Sequence, residues 1–170
     1  MRVFFALWPD TAVRQSLLAA QAGLHAITGG RRMRPETLHM TLVFIGELAT
    51  DRLPELLNAA GRVQAPGFDI AFDRVECWRR NHIAHLGVSE TPIALADLVG
   101  QLETALKALR IPFDQRPYTP HITLVRNADC TKENPASPSV TWPARDFVLV
   151  KTSLHPEGAR YEQLGRWPLL

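Results

Sequence analysis

The sequence predicts an α+β fold in which antiparallel sheets carry helices on their outer faces. Strand-like and helix-like segments follow one another in mixed order, and an apolar fraction of 46% over 170 residues is enough to bury a core. The pattern His-x-Thr-Leu occurs in two strand-like segments, at residues 39–42 and 121–124. This repetition suggests two pseudo-symmetric sheets that face each other across a central cleft. We expect residues 1–170 to form a single domain of two intertwined lobes, with one motif in each.

Local patterns predict the elements of each half of the chain. The first half is predicted to contain a strand at Arg2–Leu7, a helix capped by Asp10 and stopped by Gly29-Gly30, a strand at Leu38–Ile45, and a short helix capped by Thr50 or Asp51. The second half is predicted to contain strands at Phe68–Trp78 and Ile83–Val88, a long helix from Thr91-Pro92, a strand at His121–Arg126, a polar loop with Pro135 and Pro138, and final strands at Phe147–Ser153 and about 160–167.

Composition excludes several classes of protein. The net charge is +2 and the pI about 8.8, which excludes the strongly basic surface of a non-specific nucleic-acid coat but allows a local basic patch that meets a phosphate. The N-terminal apolar run is too short for a signal peptide, and no segment approaches the length of a membrane span, so we expect no membrane association. Cys77 and Cys130 lack metal-site spacing, and we expect both to be reduced in a cytoplasmic chain.

The two motifs are informative only as a pair. With 6 His in the chain, shuffling yields roughly 0.4 His-x-Thr matches, and requiring the Leu lowers this expectation to roughly 0.05. Either motif alone would be attributed to ordinary strand residues. Two matches, one in each half of the chain, favour a shared functional site.

Strand geometry places the polar motif residues on common faces. Side chains two residues apart point to the same side, so His39 lies with Thr41, and His121 with Thr123. If the two strands face one another, they build a compact site of two imidazoles and two hydroxyls. The side chains expected to point the other way and pack under a helix are Met40, Leu42, Phe44, Ile122 and Leu124.

Two imidazoles and two hydroxyls suit phosphodiester cleavage without a metal or a cofactor. One neutral imidazole takes a proton from the attacking water, and the other, protonated, gives a proton to the departing ribose oxygen. The hydroxyls donate hydrogen bonds to phosphate oxygens, on which charge develops in the transition state. Residue chemistry alone leaves open which histidine is the acid and which the base.

The segments around both motifs resemble a known family. Arg34–Glu47 (RPETLHMTLVFIGE) and Arg116–Arg126 (RPYTPHITLVR) are similar to the two signatures of the RNA 2′,3′-cyclic phosphodiesterases in the two-histidine (2H) phosphoesterase superfamily, first named 2′-5′ RNA ligases. The start Arg2–Leu7 and the end Tyr161–Leu169 are also similar to this family. His85 departs from the family, which often has a bulky aromatic residue at that place.

The resemblance implies hydrolysis of RNA 2′,3′-cyclic phosphate ends to 2′-phosphates, with 2′-5′ ligation as the reverse reaction. It implies that His39 is the proton donor to the 3′-oxygen and that His121 is the proton acceptor that activates water, with Thr41 and Thr123 on the phosphate. The expected partners are RNA with a cyclic phosphate end, such as tRNA halves, or cyclic nucleotides. We expect the protein to be a monomer.

Further residues are candidate substrate contacts. By resemblance Arg126 contacts the phosphate, although strict alternation along the strand puts it opposite to His121. Tyr118 and Phe44 either stack on a base or pack in the core. The arginines of Arg31–Arg34 either guide an RNA backbone or form a solvated basic edge strand.

Two other functions are compatible with the same motif residues. The first is a phosphodiesterase for small cyclic phosphates, such as cyclic nucleotides or ADP-ribose cyclic phosphate. The second is a nucleotide- or RNA-binding module without turnover. Both motifs are complete, which favours an enzyme, because loss of catalysis usually removes a histidine first.

Overall fold

A computed structural model describes residues 1–133 and 138–170. Within these residues the chain forms ten strands and three α-helices in mixed order. They are β1 (Arg2–Leu7), α1 (Thr11–Thr28), β2 (Arg31–Arg32), β3 (Met40–Glu47), α2 (Leu53–Ala60), β4 (Phe68–Phe72), β5 (Arg74–Trp78), β6 (Ile83–Gly87), α3 (Ile93–Ala108), β7 (His121–Arg126), β8 (Val140–Ala144), β9 (Asp146–His155) and β10 (Gly158–Pro168). Two short 3₁₀ helices, at Pro35–Thr37 and Thr50–Arg52, precede β3 and α2.

Two four-stranded antiparallel sheets carry the two motifs, which confirms the predicted α+β class. The first-motif sheet has the order β10-β9-β1-β3, and the second-motif sheet has the order β2-β7-β6-β5. Strands β4 and β8 form a separate antiparallel pair. Each sheet takes strands from both ends of the chain, since β9 and β10 join the first-motif sheet and β2 joins the second.

The first two elements form as the sequence predicts. Strand β1 lies between β3 and β9 and is buried on both faces, which explains its uninterrupted apolar run. The Asp10 carboxylate accepts a hydrogen bond from the Val13 amide at 2.8 Å and caps α1. Gly29, with a φ of 59°, ends the helix in a conformation that favours glycine.

Two apolar layers meet at β1. Val3, Phe5 and Leu7 belong to the main core that both sheets and the helices share. Phe4 and Ala6 point to the other face and form, with residues of β9, a smaller apolar cluster. This second cluster becomes the floor of the cleft described below.

Several predicted boundaries are wrong. The segment Phe68–Trp78 is not one strand, because it divides at Asp73 into β4 and β5, which join different sheets. The Asp73 carboxylate accepts the amide of Ser89 at 2.8 Å and holds the chain at this break. Strand β8 was not predicted, and the predicted loop residue Pro135 lies outside the described residues.

The predicted helix caps differ as well. Thr50 and Asp51 lie in a 3₁₀ turn before α2 and make no cap hydrogen bond. Helix α3 begins at Ile93, one residue after the predicted start at Thr91-Pro92, and has no side-chain cap. Packing of the apolar faces of these helices outweighs a missing cap. The final strands β9 and β10 are longer than predicted, since they continue to the tight turn between His155 and Gly158.

The prediction of two reduced cysteines is wrong in this structure, because Cys77 and Cys130 form a disulfide across 53 residues of sequence. The Ala128 amide donates to the His82 carbonyl at 2.9 Å and draws the segment after β7 against the β5–β6 turn. Cysteine spacing alone does not reveal such a pairing. Among the described residues no helix is long and apolar enough to cross a membrane.

Candidate active site

His39 lies immediately before β3, and its ring is held by the backbone. Its Nδ1 lies 2.7 Å from the carbonyl oxygen of Thr37. A carbonyl only accepts, so Nδ1 carries a proton and Nε2 is left for the cavity. Thr37 ends the 3₁₀ helix, where its own hydroxyl donates to the Arg34 carbonyl at 2.8 Å. The tautomer of His39 therefore follows from a short, rigid turn.

His121 opens β7 with the same arrangement. Its Nδ1 lies 2.8 Å from the carbonyl oxygen of Thr119, again two residues earlier. The repeated unit is therefore longer than His-x-Thr-Leu. It is Thr-x-His-x-Thr-Leu-Val, at residues 37–43 and 119–125, and its first Thr supplies the carbonyl that orients the imidazole. The extra Thr and Val were visible in the sequence, but only the structure assigns the Thr a role.

Both motif strands contain a bulge at the Leu of the motif. In β3 the pairing passes from Thr41 to Val43 and leaves Leu42 without a partner, and in β7 it passes from Thr123 to Val125 and leaves Leu124 without one. Leu and Val are then buried in succession in each strand. Because a bulge reverses the alternation of side chains, the strict alternation predicted here is wrong beyond the Leu.

The bulges bring two further residues to the same cavity. Phe44 and Arg126 both stand five residues after a motif histidine, and both line the cavity instead of packing beneath a helix. The cavity measures about 420 Å³. Its lining includes His39, Thr41, Phe44, His121, Thr123, Arg126, Arg2 and Tyr161. The structure thus unites the four predicted motif residues with two of the three predicted substrate contacts.

Aromatic rings surround His39. Trp8 stacks parallel to the imidazole with ring centroids 5.2 Å apart, while Phe4 and Tyr161 approach at 5.0 and 5.3 Å. Burial lowers the pKa of His39 to about 4, although the hydrogen bond to Thr37 opposes this, and the charges of His121 and Arg126 lower it further. With this pKa His39 is neutral at pH 7.

His121 has a different environment. Trp78 approaches edge-on at 4.6 Å, and His85 approaches edge-on at 5.5 Å. Burial lowers the pKa of His121, and the Thr119 carbonyl opposes that shift. Trp78 contacts this motif histidine but was not predicted as a site residue. Trp8 and Tyr161 were not predicted either, because they come from strand ends far from both motifs in sequence.

Buried backbone contacts hold Arg126 in place. Gln21 of α1 is buried and donates from Nε2 to the Leu124 carbonyl at 2.9 Å, directly at the bulge, and to the Met33 carbonyl at 2.8 Å. Gly30, with a φ of 86°, lies against the end of β7, where an added Cβ would stand 2.5 Å from the Arg126 carbonyl oxygen. Only glycine allows β2 to approach this closely.

The remaining candidates lie elsewhere. Tyr118 is not part of the cavity lining, and its hydroxyl donates to the Thr41 carbonyl at 3.2 Å, so it joins the segment before β7 to β3. Arg31 and Arg32 form β2, an exposed edge strand paired with β7. Arg34 is exposed and donates to the Ala159 carbonyl of β10. In residues 1–133 and 138–170, no three His, Cys, Asp or Glu side chains are close enough to hold a metal ion.

Comparisons with known proteins agree with this arrangement. The family model described as LigT-like phosphoesterase matches residues 7–85 and 86–161, and each match contains one motif. The RNA 2′,3′-cyclic phosphodiesterase of Escherichia coli is 31% identical over 99% of this chain and 96% of its own, and that of Thermus thermophilus is 30% identical over 99% and 90%. The structure of E. coli LigT with 3′-AMP is similar with a TM-score of 0.88, at 29% identity over 99% of this chain and 97% of that chain. The chain therefore belongs to the LigT-like phosphoesterase family.

Proposed function

We propose that the protein hydrolyses RNA 2′,3′-cyclic phosphate ends to 2′-phosphomonoesters by acid–base catalysis with two histidines. The observation that carries this proposal is the shared cavity, in which His39 and His121 each have Nδ1 bound to a backbone carbonyl and Nε2 without a hydrogen bond to any described residue. The curated relatives named above carry RNA 2′,3′-cyclic phosphodiesterase as their name. Residues 1–170 act in this proposal as one domain of two intertwined lobes.

The reaction needs one proton acceptor and one proton donor. In the proposed sequence, His121 Nε2 accepts a proton from water as the water oxygen forms a bond to phosphorus. The bond from phosphorus to the 3′-oxygen breaks, and His39 Nε2 gives its proton to that oxygen. Thr41 and Thr123 donate hydrogen bonds to the non-bridging oxygens. When an RNA 5′-hydroxyl replaces the water, the same steps form a bond from its oxygen to phosphorus, break the bond to the 3′-oxygen and leave a 2′-5′ phosphodiester, which is ligation.

His39 must gain a proton before it can act as the donor. Its pKa is lowered to about 4, chiefly because burial opposes the charge. A bound phosphate brings a negative charge close to the ring, and an opposite charge favours the imidazolium. The stacked face of Trp8 favours the imidazolium in the same way. Proton uptake at His39 therefore accompanies substrate binding in this proposal.

Arg126 and Phe44 are the proposed substrate contacts beyond the motifs. Arg126 has a guanidinium in the cavity lining and suits a phosphate oxygen. Phe44 lines the cavity beneath Arg2, whose guanidinium carbon lies 5.3 Å from the ring centroid, and suits a nucleobase. Tyr118 contributes indirectly, by fixing β3 through the Thr41 carbonyl.

The proposal is tested with 2′,3′-cyclic nucleotides and an RNA that ends in a cyclic phosphate, assayed in EDTA with identification of the product. We expect 2′-phosphate products and full activity in EDTA. His39→Ala and His121→Ala should each lower kcat by roughly 10² to 10⁴ while circular dichroism stays unchanged. His155→Ala, at the exposed end of β9, is the matched control. A 3′-phosphate product would contradict the assigned roles, and loss of activity in EDTA would contradict metal independence.

The same assay separates the alternatives. Turnover of cyclic nucleotides or of an ADP-ribose cyclic phosphate without turnover of RNA would identify a small-molecule phosphodiesterase. Binding without turnover would identify a binding module.

We also propose that the protein acts on RNA in the cytoplasm, as a monomer. Disulfides are rare in that compartment, so this proposal expects the Cys77–Cys130 pair to be reduced there and to form only under oxidising conditions. The test is to extract the protein from cytoplasm in the presence of an alkylating agent and to count its free thiols, which shows whether Cys77 and Cys130 are reduced or paired. Two free thiols per chain would support the proposed location. Sedimentation of the purified chain tests the oligomeric state.

A further inference from the structure

His85 is a fully buried imidazole in the middle of the second-motif sheet. Its side chain has no exposed area, and neither ring nitrogen makes a well-aligned hydrogen bond to the residues that the structure describes. It stands in one row across three strands, between Glu76 of β5 and Thr123 of β7. Buried polar groups normally have partners, and an apolar ring would fill this space at lower free-energy cost. The imidazole at this place therefore calls for a chemical reason.

The neighbours of His85 supply that reason. Its ring centroid lies 4.0 Å from that of Trp78 and 5.5 Å from that of His121, and Trp78 also contacts His121 at 4.6 Å. The three rings form one cluster. Beside this cluster, Nε2 of His85 lies 3.4 Å from a carboxylate oxygen of Glu76.

The Glu76 carboxylate also lies near Gly87, the residue of β6 opposite His121. Gly87 is the residue of β6 that pairs with His121, and a Cβ added to Gly87 would lie 3.8 Å from Oε2 of Glu76. The carboxylate of Glu76 thus lies over Gly87, next to His121 in the neighbouring strand. Because glycine has no side chain, the carboxylate has space at this position. Glu76 is itself partly exposed and lies 3.8 Å from Arg74.

The charges around His85 are those of Glu76 and Arg74 from β5 and of His121 from β7. Burial and the charge of His121 lower the pKa of His85, while Glu76 raises it. A charge on one imidazole disfavours a charge on the other at this distance, so the two rings take up protons in separate steps, and His85, whose pKa the charge of His121 lowers, takes the later one.

We propose that His85 is a positioning residue for His121: it holds that ring against Trp78 and places it beside the carboxylate of Glu76. A proton accepted by His121 then meets a neutral imidazole and a nearby negative charge. This inference rests on the proposed function, since it gives His121 the role of proton acceptor. His85 itself does not line the cavity and touches no reacting atom.

Ring-labelled histidine NMR tests this inference in the wild type, His85→Phe and Glu76→Gln. The His121 signals of the wild type should follow two titration steps, with the second step, at lower pH, caused by His85. His85→Phe should leave one step, and its kcat should fall about tenfold with an unchanged KM. Glu76→Gln should move the His121 midpoint down by about half a pH unit. Glu90→Gln, at an exposed residue after β6, is the control.

A single His121 step with the same midpoint in all four proteins would overturn the inference. Glu76 is a partly exposed side chain, so Glu76→Gln provides a folded test even if His85→Phe fails to fold. The titrations need no turnover. An enzyme inactive on cyclic phosphates would contradict the proposed function and leave the titrations intact, which keeps the two failures distinct.

Discussion

The surroundings of His39 and His121 differ although their backbone settings are nearly identical. Both rings donate from Nδ1 to the carbonyl of the second preceding residue, and both strands bulge at the next Leu. Three aromatic rings without charge enclose His39, whereas Trp78 and the ionisable His85 flank His121. A repeated backbone unit thus fixes where the nitrogens point, and neighbouring strands set how easily each ring carries charge.

The same contrast appears five residues after each histidine, where the first strand has Phe44 and the second has Arg126. Arg126→Ala should lower kcat/KM for a 2′,3′-cyclic nucleotide by about 100-fold, because it removes a charged donor from a developing phosphate charge. Phe44→Ala should lower it by roughly tenfold, mainly through KM, because it removes a stacking face. Steady-state kinetics on both variants measure this. Equal losses in kcat would contradict the division into phosphate and base contacts.

Substitutions of Trp8 test how the aromatic rings around His39 contribute to catalysis. Trp8→Leu should lower kcat at neutral pH by roughly five- to tenfold, because the imidazolium form of His39 loses a stacked face. Trp8→Phe should keep most of the activity. Trp78→Leu, on the other side of the cleft, should leave the His39 titration unchanged. If Trp8→Leu and Trp8→Phe behave alike, stacking on His39 has no part in the chemistry.

The depressed pKa of His39 also makes stability depend on pH. The unfolded chain binds a proton at this ring below about pH 6.5, whereas the folded chain binds one only near pH 4. The free energy of unfolding should therefore be unaffected by His39 above pH 6.5 and should decline as the pH falls from 6.5 to 4. Urea denaturation across this range should show a shallower decline in His39→Asn. Inorganic phosphate, by charging the ring, should reduce the decline in the wild type.

Loss of the disulfide should disturb the surroundings of His121 more than those of His39. The disulfide closes a loop across 53 residues and should stabilise the fold by about 4 kcal/mol. Cys77 precedes Trp78, so reduction should loosen the side of His121 and leave that of His39 intact. A paired Cys77→Ser, Cys130→Ser variant, followed by denaturation and by histidine NMR, measures both effects. Larger changes in the His39 signals than in those of His121 would contradict this expectation.

Much of the fold was predictable because its signals are local. The apolar run of β1, the Asp10 cap and the Gly29 stop each depend on neighbouring residues, and the structure has them at the predicted positions. The wrong predictions share a cause, because each feature depends on residues that are far apart in sequence. The break at Asp73 depends on Ser89, sixteen residues away, and the disulfide depends on a β5–β6 turn meeting the end of β7.

The proposed chemistry of the site was predictable from the repeated motif, since two imidazoles that can act as acid and base and two hydroxyls follow from residue type and strand spacing. The bulges, the orientation of each imidazole and the charge environment of each ring were decided only in the folded chain. Register shifts arise between strands, and pKa values depend on burial and on groups brought together from distant segments. For that reason Arg126 and Phe44 face the cavity against the simple alternation, and His39 and His121, alike in sequence, are different acids.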